Sequence, residues 1–196
     1  MRWKIITGLI QGIIVGGVLA FITANLIVNV EVNAMHTTIN GWNITLKCGA
    51  FGNGVLLRAA CAKDIPAANL PAEAVYWTAT VDGTGHTLNG QHDYILRFPP
   101  GGFPPNDAFW SLTMLDSRRY MVVNPINRYN VGDRSDLVPG VDGSIDIYIQ
   151  NTAPAGHESN WLPAPSGDFV LMLRAYQPGA AVLSGEYNVP PVVEVN

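Results

Sequence analysis

"IDIYIQ", residues 145–150, decides the fold. Ile145, Ile147 and Ile149 alternate with Asp146, Tyr148 and Gln150. A strand has a side-chain period of two, so this pattern describes a sheet with one apolar face and one wet face. Working outward, "FVLMLRAY" (169–176) is apolar on both faces at first, as in a covered central strand. "VYWTATV" (75–81) places Val75, Trp77, Ala79 and Val81 on one face. "YILRF" (94–98), "FWSLTM" (109–114) and "RYMVVN" (119–124) read as further strands, and "WNITLK" (42–47) contains a short one. Turn signals punctuate them: "DGTG", "NGQHD", "PPGGFPPND", "NPINRYNVGD", "VPGVDG" and "PAPSGD". Short strands at this spacing indicate a β-sandwich or barrel. The long Pro-rich crossings favour Greek-key or jelly-roll connections over tight hairpins. "GVLLRAACAKD" (54–64), with small and apolar residues at helical spacing, reads as one short helix.

Composition agrees. The 196 residues include 20 glycines and 14 prolines, and only 13% are charged. That balance suits a turn-rich β protein and is poor for a helical bundle. Arg2 and Lys4 precede everything else, which leaves nine basic against fifteen acidic residues in the rest of the chain. A nucleic acid partner is therefore not expected, and no polybasic strip is present to hold anionic lipid.

The N-terminus has a different character. Ile5 to Val28 is 24 residues without a charge. As a helix it measures about 36 Å at ~1.5 Å per residue, against a hydrocarbon core ~30 Å thick. The basic residues lie before it, and after it the first charge is Glu31. The positive-inside rule then places the N-terminus in the cytoplasm and the C-terminal domain in the periplasm or outside the cell. A cleaved signal peptide is the rival reading, since "VNA" at 32–34 has cleavage-site spacing. The length of the apolar run favours an uncleaved anchor in the cytoplasmic membrane. Gly8, Gly12 and Gly16, continued by Ala20 and Ala24, form a small-residue row along one helix face, with Gln11 beside it. In lipid such a groove permits close helix packing, so it is the candidate contact for a second membrane helix. The expected organisation is an anchor over 1–30, a stalk over 31–53 and a β-sandwich over 54–196.

Six ordered blocks are familiar: "TVDGTGHTLNGQHDYILRF", "PPNDAFWSLTMLD", "NPINRYNVGDRSDL", "DGSIDIYIQ", "NWLPAPSGDFVLMLRAY" and the closing "VPP". Together with "LLRAACA" and "LPAEAVYW" they resemble domain-of-unknown-function family 1214 over roughly residues 42–195. The resemblance implies a mainly β, jelly-roll-like sandwich. Many members of that family carry a second domain, family 1254, upstream. The resemblance here covers the 1214 part alone, so the partner expected through the membrane helix is a second copy or a separate chain carrying the family 1254 domain. Leu115 stands where an aromatic residue is more usual, and Cys48 and Cys61 are particular to this chain.

Signatures of known chemistry are absent. The sequence holds no GxSxG, no HExxH and no CxxC, and "GAFGNG" (49–54) does not fit a dinucleotide fingerprint. No cofactor is expected. His86 and His92 flank a turn with Asp82 before and Asp93 after, and could converge on a divalent metal; two exposed, locally bonded turn histidines are the plainer reading. Asp107 and Asp116 are too far apart along one strand, about 30 Å at ~3.3 Å per residue, to act as a catalytic pair. "NWLPAP" (160–165) offers Asn160 and Trp161, with Arg174 and Tyr176 close in sequence, either as a sugar-stacking site or as a plug closing one end of the sandwich. Arg118, Arg119, Arg128 and Arg134 read as solvated or locally paired. An extracytoplasmic location permits a Cys48–Cys61 disulfide. The reading as a whole is a membrane-anchored interaction or structural subunit rather than an enzyme, with an envelope hydrolase or a small-ligand or carbohydrate-binding domain as the alternative.

Overall fold

The structure, a computed structural model, describes residues 2–49, 52, 54–66 and 68–195. They fall into two compact units: Met1–Met35 with Cys48–Ala68, and His36–Lys47 with Asn69–Asn196.

The first unit is helical. α1 runs over Arg2–Met35 and α2 over Val55–Asp64. α1 is the one helix among the described residues long and apolar enough to cross a membrane, and its large side chains, from Ile5 to Ile27, stand exposed. Thr7 and Asn25 turn their polar groups back onto the carbonyls of Trp3 and Phe21, at 2.8 and 2.9 Å, which satisfies them within the helix itself. The helix continues well past the end of the apolar run. Its last turn has an apolar neighbour, because Met35, Cys48, Ala60 and Cys61 form a small buried cluster against which Val32 and Leu57 pack. Cys48 and Cys61 are joined in a disulfide, their Cα atoms 5.6 Å apart.

The second unit is a two-sheet sandwich. One sheet has six strands in the order β1-β2-β3-β9-β5-β6: β1 Thr37–Ile39, β2 Trp42–Ile44, β3 Ala74–Ala79, β9 Phe169–Pro178, β5 Asn106–Asp116 and β6 Asn130–Gly132. The other has four in the order β10-β4-β7-β8: β10 Val192–Val195, β4 Asp93–Phe98, β7 Ile145–Gln150 and β8 Trp161–Pro163. A short helix, α3, covers Ala180–Leu183. β9 is flanked by β3 and β5, the central place its apolar run implies. Ile145, Ile147 and Ile149 of β7 enter the core, where they join Trp77, Leu112, Met114, Leu171 and Leu173 of the facing sheet. A side chain of this size stabilises by about 1.5–3 kcal/mol when fully buried.

The segment expected as a stalk, 31–53, is not one element. Residues 31–35 finish α1, 37–44 form a hairpin on the edge of the six-stranded sheet, and Cys48 belongs with the helical unit. Asn40 and Gly41, with φ of 55° and 82°, make the tight turn of that hairpin, where both residues must be left-handed. "RYMVVN" is not a strand either. Asp116 accepts the backbone N–H groups of Arg118 and Tyr120, both at 2.9 Å, and closes a turn that leaves one isolated bridge, Leu115 to Met121. β6, β8 and β10, of three or four residues each, are too short to show a period in the sequence.

Candidate functional site

Two concavities on the sandwich gather polar side chains. The first begins at the turn after β3. Val81 and Thr87 pair across it, and Asp82 folds back so that its Oδ1 accepts from the Thr84 N–H at 2.8 Å, the Thr84 hydroxyl at 2.7 Å and the His86 N–H at 3.0 Å. The Gly83 N–H donates to the Val192 carbonyl at 2.8 Å, which ties the turn to β10. Only glycine allows this approach, because a Cβ at position 83 would lie 2.5 Å from the Pro191 Cβ. The turn and β10 enclose a depression of about 450 Å³ lined by Asp82, Thr84, His86, Pro191 and Glu194, among others.

His86 lines this depression, and His92 is linked to it only through Glu194. The His86 Nδ1 lies 3.0 Å from the Thr84 hydroxyl and 3.9 Å from Asp82 Oδ2. His92 does not meet His86 in a direct pair. Its Nδ1 contacts Glu194 Oε1 at 2.8 Å, and Glu194 in turn shares a cluster with Asp82 and His86 whose ligand atoms lie within 4.8 Å of one another. Glu194 is the member that sequence reasoning missed. It is brought here by antiparallel pairing of β10 with β4, which sets Glu194 opposite Tyr94. Asp93 is exposed at the start of β4, outside this cluster. Burial pushes the Asp82 carboxyl up, but the hydrogen bonds from Thr84 and His86 outweigh it and hold the group below the ordinary carboxylate range.

The second concavity, about 300 Å³, lies on the four-stranded sheet and is lined by Asp146, Tyr148, His157, Glu158 and Asn160, among others. Asn160 is buried and its amide is spent on the scaffold. Its Oδ1 accepts from Val138 N–H at 2.7 Å, and its Nδ2 donates to the carbonyls of Val138 and Asp146 at 2.8 and 3.0 Å. Trp161 is 7% exposed and donates its indole N–H to the Gln150 carbonyl at 2.8 Å. His157 stacks on Tyr148 at a centroid distance of 4.7 Å.

Arg174 and Tyr176 are not part of this pocket. They sit on β9 of the six-stranded sheet, whereas Trp161 is on β8 of the other, because the chain changes sheets between them. Arg174 donates to the Thr113 hydroxyl at 2.8 Å, and Tyr176 stacks on Phe109 at 4.3 Å. The arginines also disperse. Arg118 pairs with Asp116, Arg128 donates to the carbonyls of Glu158 and Trp161 at 2.6 and 2.9 Å, and Arg134 lies over the Phe109 ring at 4.4 Å.

On α1, Gly8, Gly12 and Gly16 are open, with nothing within 4 Å of where a Cβ would stand. Gln11, Ala20 and Ala24 are exposed on the same helix.

The family described as protein of unknown function (DUF1214) matches residues 73–180, more than half of the chain. The chain belongs to the DUF1214 family. None of the curated proteins matches it. Among solved structures, the VPA0106 protein from Vibrio parahaemolyticus is similar, with 30% identity and a TM-score of 0.63 over 74% of this chain. This DUF1214 chain spans 36% of the length of that Vibrio protein. An uncharacterized protein from Burkholderia cenocepacia aligns with 13% identity and a TM-score of 0.44, over 94% of this chain and 51% of its own. The DUF1214 match includes Asp82, His86 and His92 and ends before Glu194.

Proposed function

We propose that this chain is a single-pass, membrane-anchored subunit that presents a jelly-roll-like DUF1214 sandwich outside the cytoplasmic membrane to a partner chain. The observation that carries the reading is α1, a helix whose apolar side chains have no cover over a length sufficient to cross a bilayer. Arg2 and Lys4 at its start and the absence of basic residues until Lys47 favour a cytoplasmic N-terminus. The disulfide between Cys48 and Cys61 supports an oxidising compartment on the other side. The open row at Gly8, Gly12 and Gly16 supports close packing of α1 against another helix, in a second copy or in a chain carrying the family 1254 domain.

The test is membrane extraction joined to topology mapping of the full chain. The reading expects the protein to resist alkaline carbonate extraction. It expects a C-terminal alkaline phosphatase fusion, active only outside the cytoplasm, to be active. Release of the chain by carbonate, or an inactive fusion, would overturn it.

A further inference from the structure

We propose that Asp82, His86 and Glu194 form a binding site for a divalent transition-metal ion of the zinc class, with His92 positioning Glu194. The three residues each offer one ligand atom, and these atoms lie within 4.8 Å of one another. Tetrahedral zinc with ligands at ~2.0–2.1 Å needs neighbouring ligand atoms about 3.4 Å apart. The required closure is roughly an ångström, and the exposed side chain of His86 and the partly exposed one of Glu194 have room to make it.

Asp82 gives the site its fixed point. Its side chain is 3% exposed, and all three hydrogen bonds to it fall on Oδ1. Oδ2 accepts no hydrogen bond from the described residues and faces the His86 ring, whose Nδ1 is 3.9 Å away. Two carboxylates drawn into one depression repel each other, and a cation between them offsets that repulsion. No lysine or arginine lines the depression among the described residues, although two carboxylates face it. A divalent cation supplies the missing charge.

The remaining parts match the way proteins support metal ligands. The His92 Nδ1 holds Glu194 Oε1 at 2.8 Å, which leaves Glu194 Oε2 for the ion. Thr84 braces both Asp82 and the His86 ring, and the Gly83–Val192 bond locks the turn to the strand that carries Glu194. One imidazole and two carboxylates make a borderline donor set suited to zinc, and three protein ligands leave a position for water.

The experiment uses tag-free full chain in detergent, stripped with EDTA and titrated with Zn²⁺ by calorimetry and with Co²⁺ by visible absorption. The site predicts one ion per chain, and a Co²⁺ spectrum of low-symmetry, four- or five-coordinate type. His86→Ala and Glu194→Gln should each weaken binding by about 100-fold. His92→Ala should weaken it by about 10-fold through Glu194. Asp82→Asn keeps the Oδ1 acceptor and so the turn, and should also lose about 100-fold. Asp93→Asn should bind as the parent does. Zn²⁺ should raise the melting temperature of the parent and not that of Glu194→Gln. Absence of saturable binding, or binding unchanged in both His86→Ala and Glu194→Gln, would overturn the proposal.

Discussion

The indole N–H of Trp42, on the edge hairpin, donates to the carbonyl of Pro190, 148 residues further along the chain, at 2.8 Å. Asn40 reaches the neighbouring carbonyl of Val189 at 2.9 Å. Residues 36–47 are thereby fastened to the C-terminal segment of the same unit. Trp42 is 1% exposed, so its replacement has two separable costs. Trp42→Phe keeps an aromatic ring and orphans the Pro190 carbonyl, at about 1–3 kcal/mol. Trp42→Ala adds a cavity, for a total of about 3–5 kcal/mol. Urea unfolding followed by circular dichroism should rank the two in that order, and a Trp42→Phe variant as stable as the parent would refute the assigned bond.

Asn160 offers a sharper contrast. Its buried side chain donates from Nδ2 to two carbonyls and accepts one N–H at Oδ1. Asn160→Asp turns the donor end into a carboxylate oxygen facing the Val138 and Asp146 carbonyls. It should destabilise more than Asn160→Leu, which leaves the same groups unpaired but adds no charge, by about 1–2 kcal/mol. Thermal melts of the two variants at neutral pH measure the difference, and the opposite order would show that the amide is not oriented as described.

Gly90 packs against the loop before β9. A Cβ there would stand 1.6 Å from the Pro165 carbonyl oxygen and 2.8 Å from its carbon, both backbone atoms that no rotamer change can move. Gly90→Ala should therefore cost about 3 kcal/mol and loosen the Gly90–Gly167 hydrogen bond. Hydrogen exchange of the Gly167–Phe169 segment and its partners should accelerate. Exchange and stability at the parent's level would contradict the packing.

The acid limb of stability has an identifiable source. The Ser144 hydroxyl and N–H, followed by the Arg97 guanidinium, hold the Asp142 carboxyl down to about 2. A carboxyl depressed in the folded state adds stability above its unfolded value, near ~4, and loses it as pH falls through the folded value. Asp116, lowered by the N–H of Tyr120 against the opposing effect of desolvation, acts in the same direction. The melting temperature should fall from pH 4 towards pH 2, less steeply in Asp142→Asn. A carboxyl titration for Asp142 near 4 by NMR would remove it from this account.

On α1 the test is steric. Gly12 meets nothing within 4 Å in the chain itself, so Gly12→Leu should leave the sandwich's stability unchanged. If the glycine row seats another helix, the same variant should lose cross-linking within the membrane by about tenfold or more. Cross-linking at the parent's level would reject the row as a contact.

The parts of the fold that alternate or run long were legible in the sequence. The period of "IDIYIQ", the double-faced apolarity of "FVLMLRAY" and the charge-free N-terminal run each have one sterically sensible reading, and β7, β9 and α1 agree with them. "RYMVVN" misleads because its apolar residues compete with the turn that the Asp116 carboxylate organises, and backbone N–H groups bonded to a side chain are lost to a ladder. Trp161 and Arg174 are thirteen residues apart in sequence yet on different sheets, since proximity along the chain says nothing about which sheet a strand joins. Glu194 was hidden for the converse reason. Its neighbours Asp82, His86 and His92 are reached only through the pairing of β10 with β4, a register that no local pattern encodes.

The Cys48–Cys61 bridge encloses Arg58, which stands at the end of the first turn of α2. A protease specific for basic residues that cuts after Arg58 would therefore divide the polypeptide without dividing the molecule. The two pieces would migrate as one species on a gel until a reductant was added, and only then would the fragment bearing the anchor and the edge hairpin separate from the one bearing the other strands.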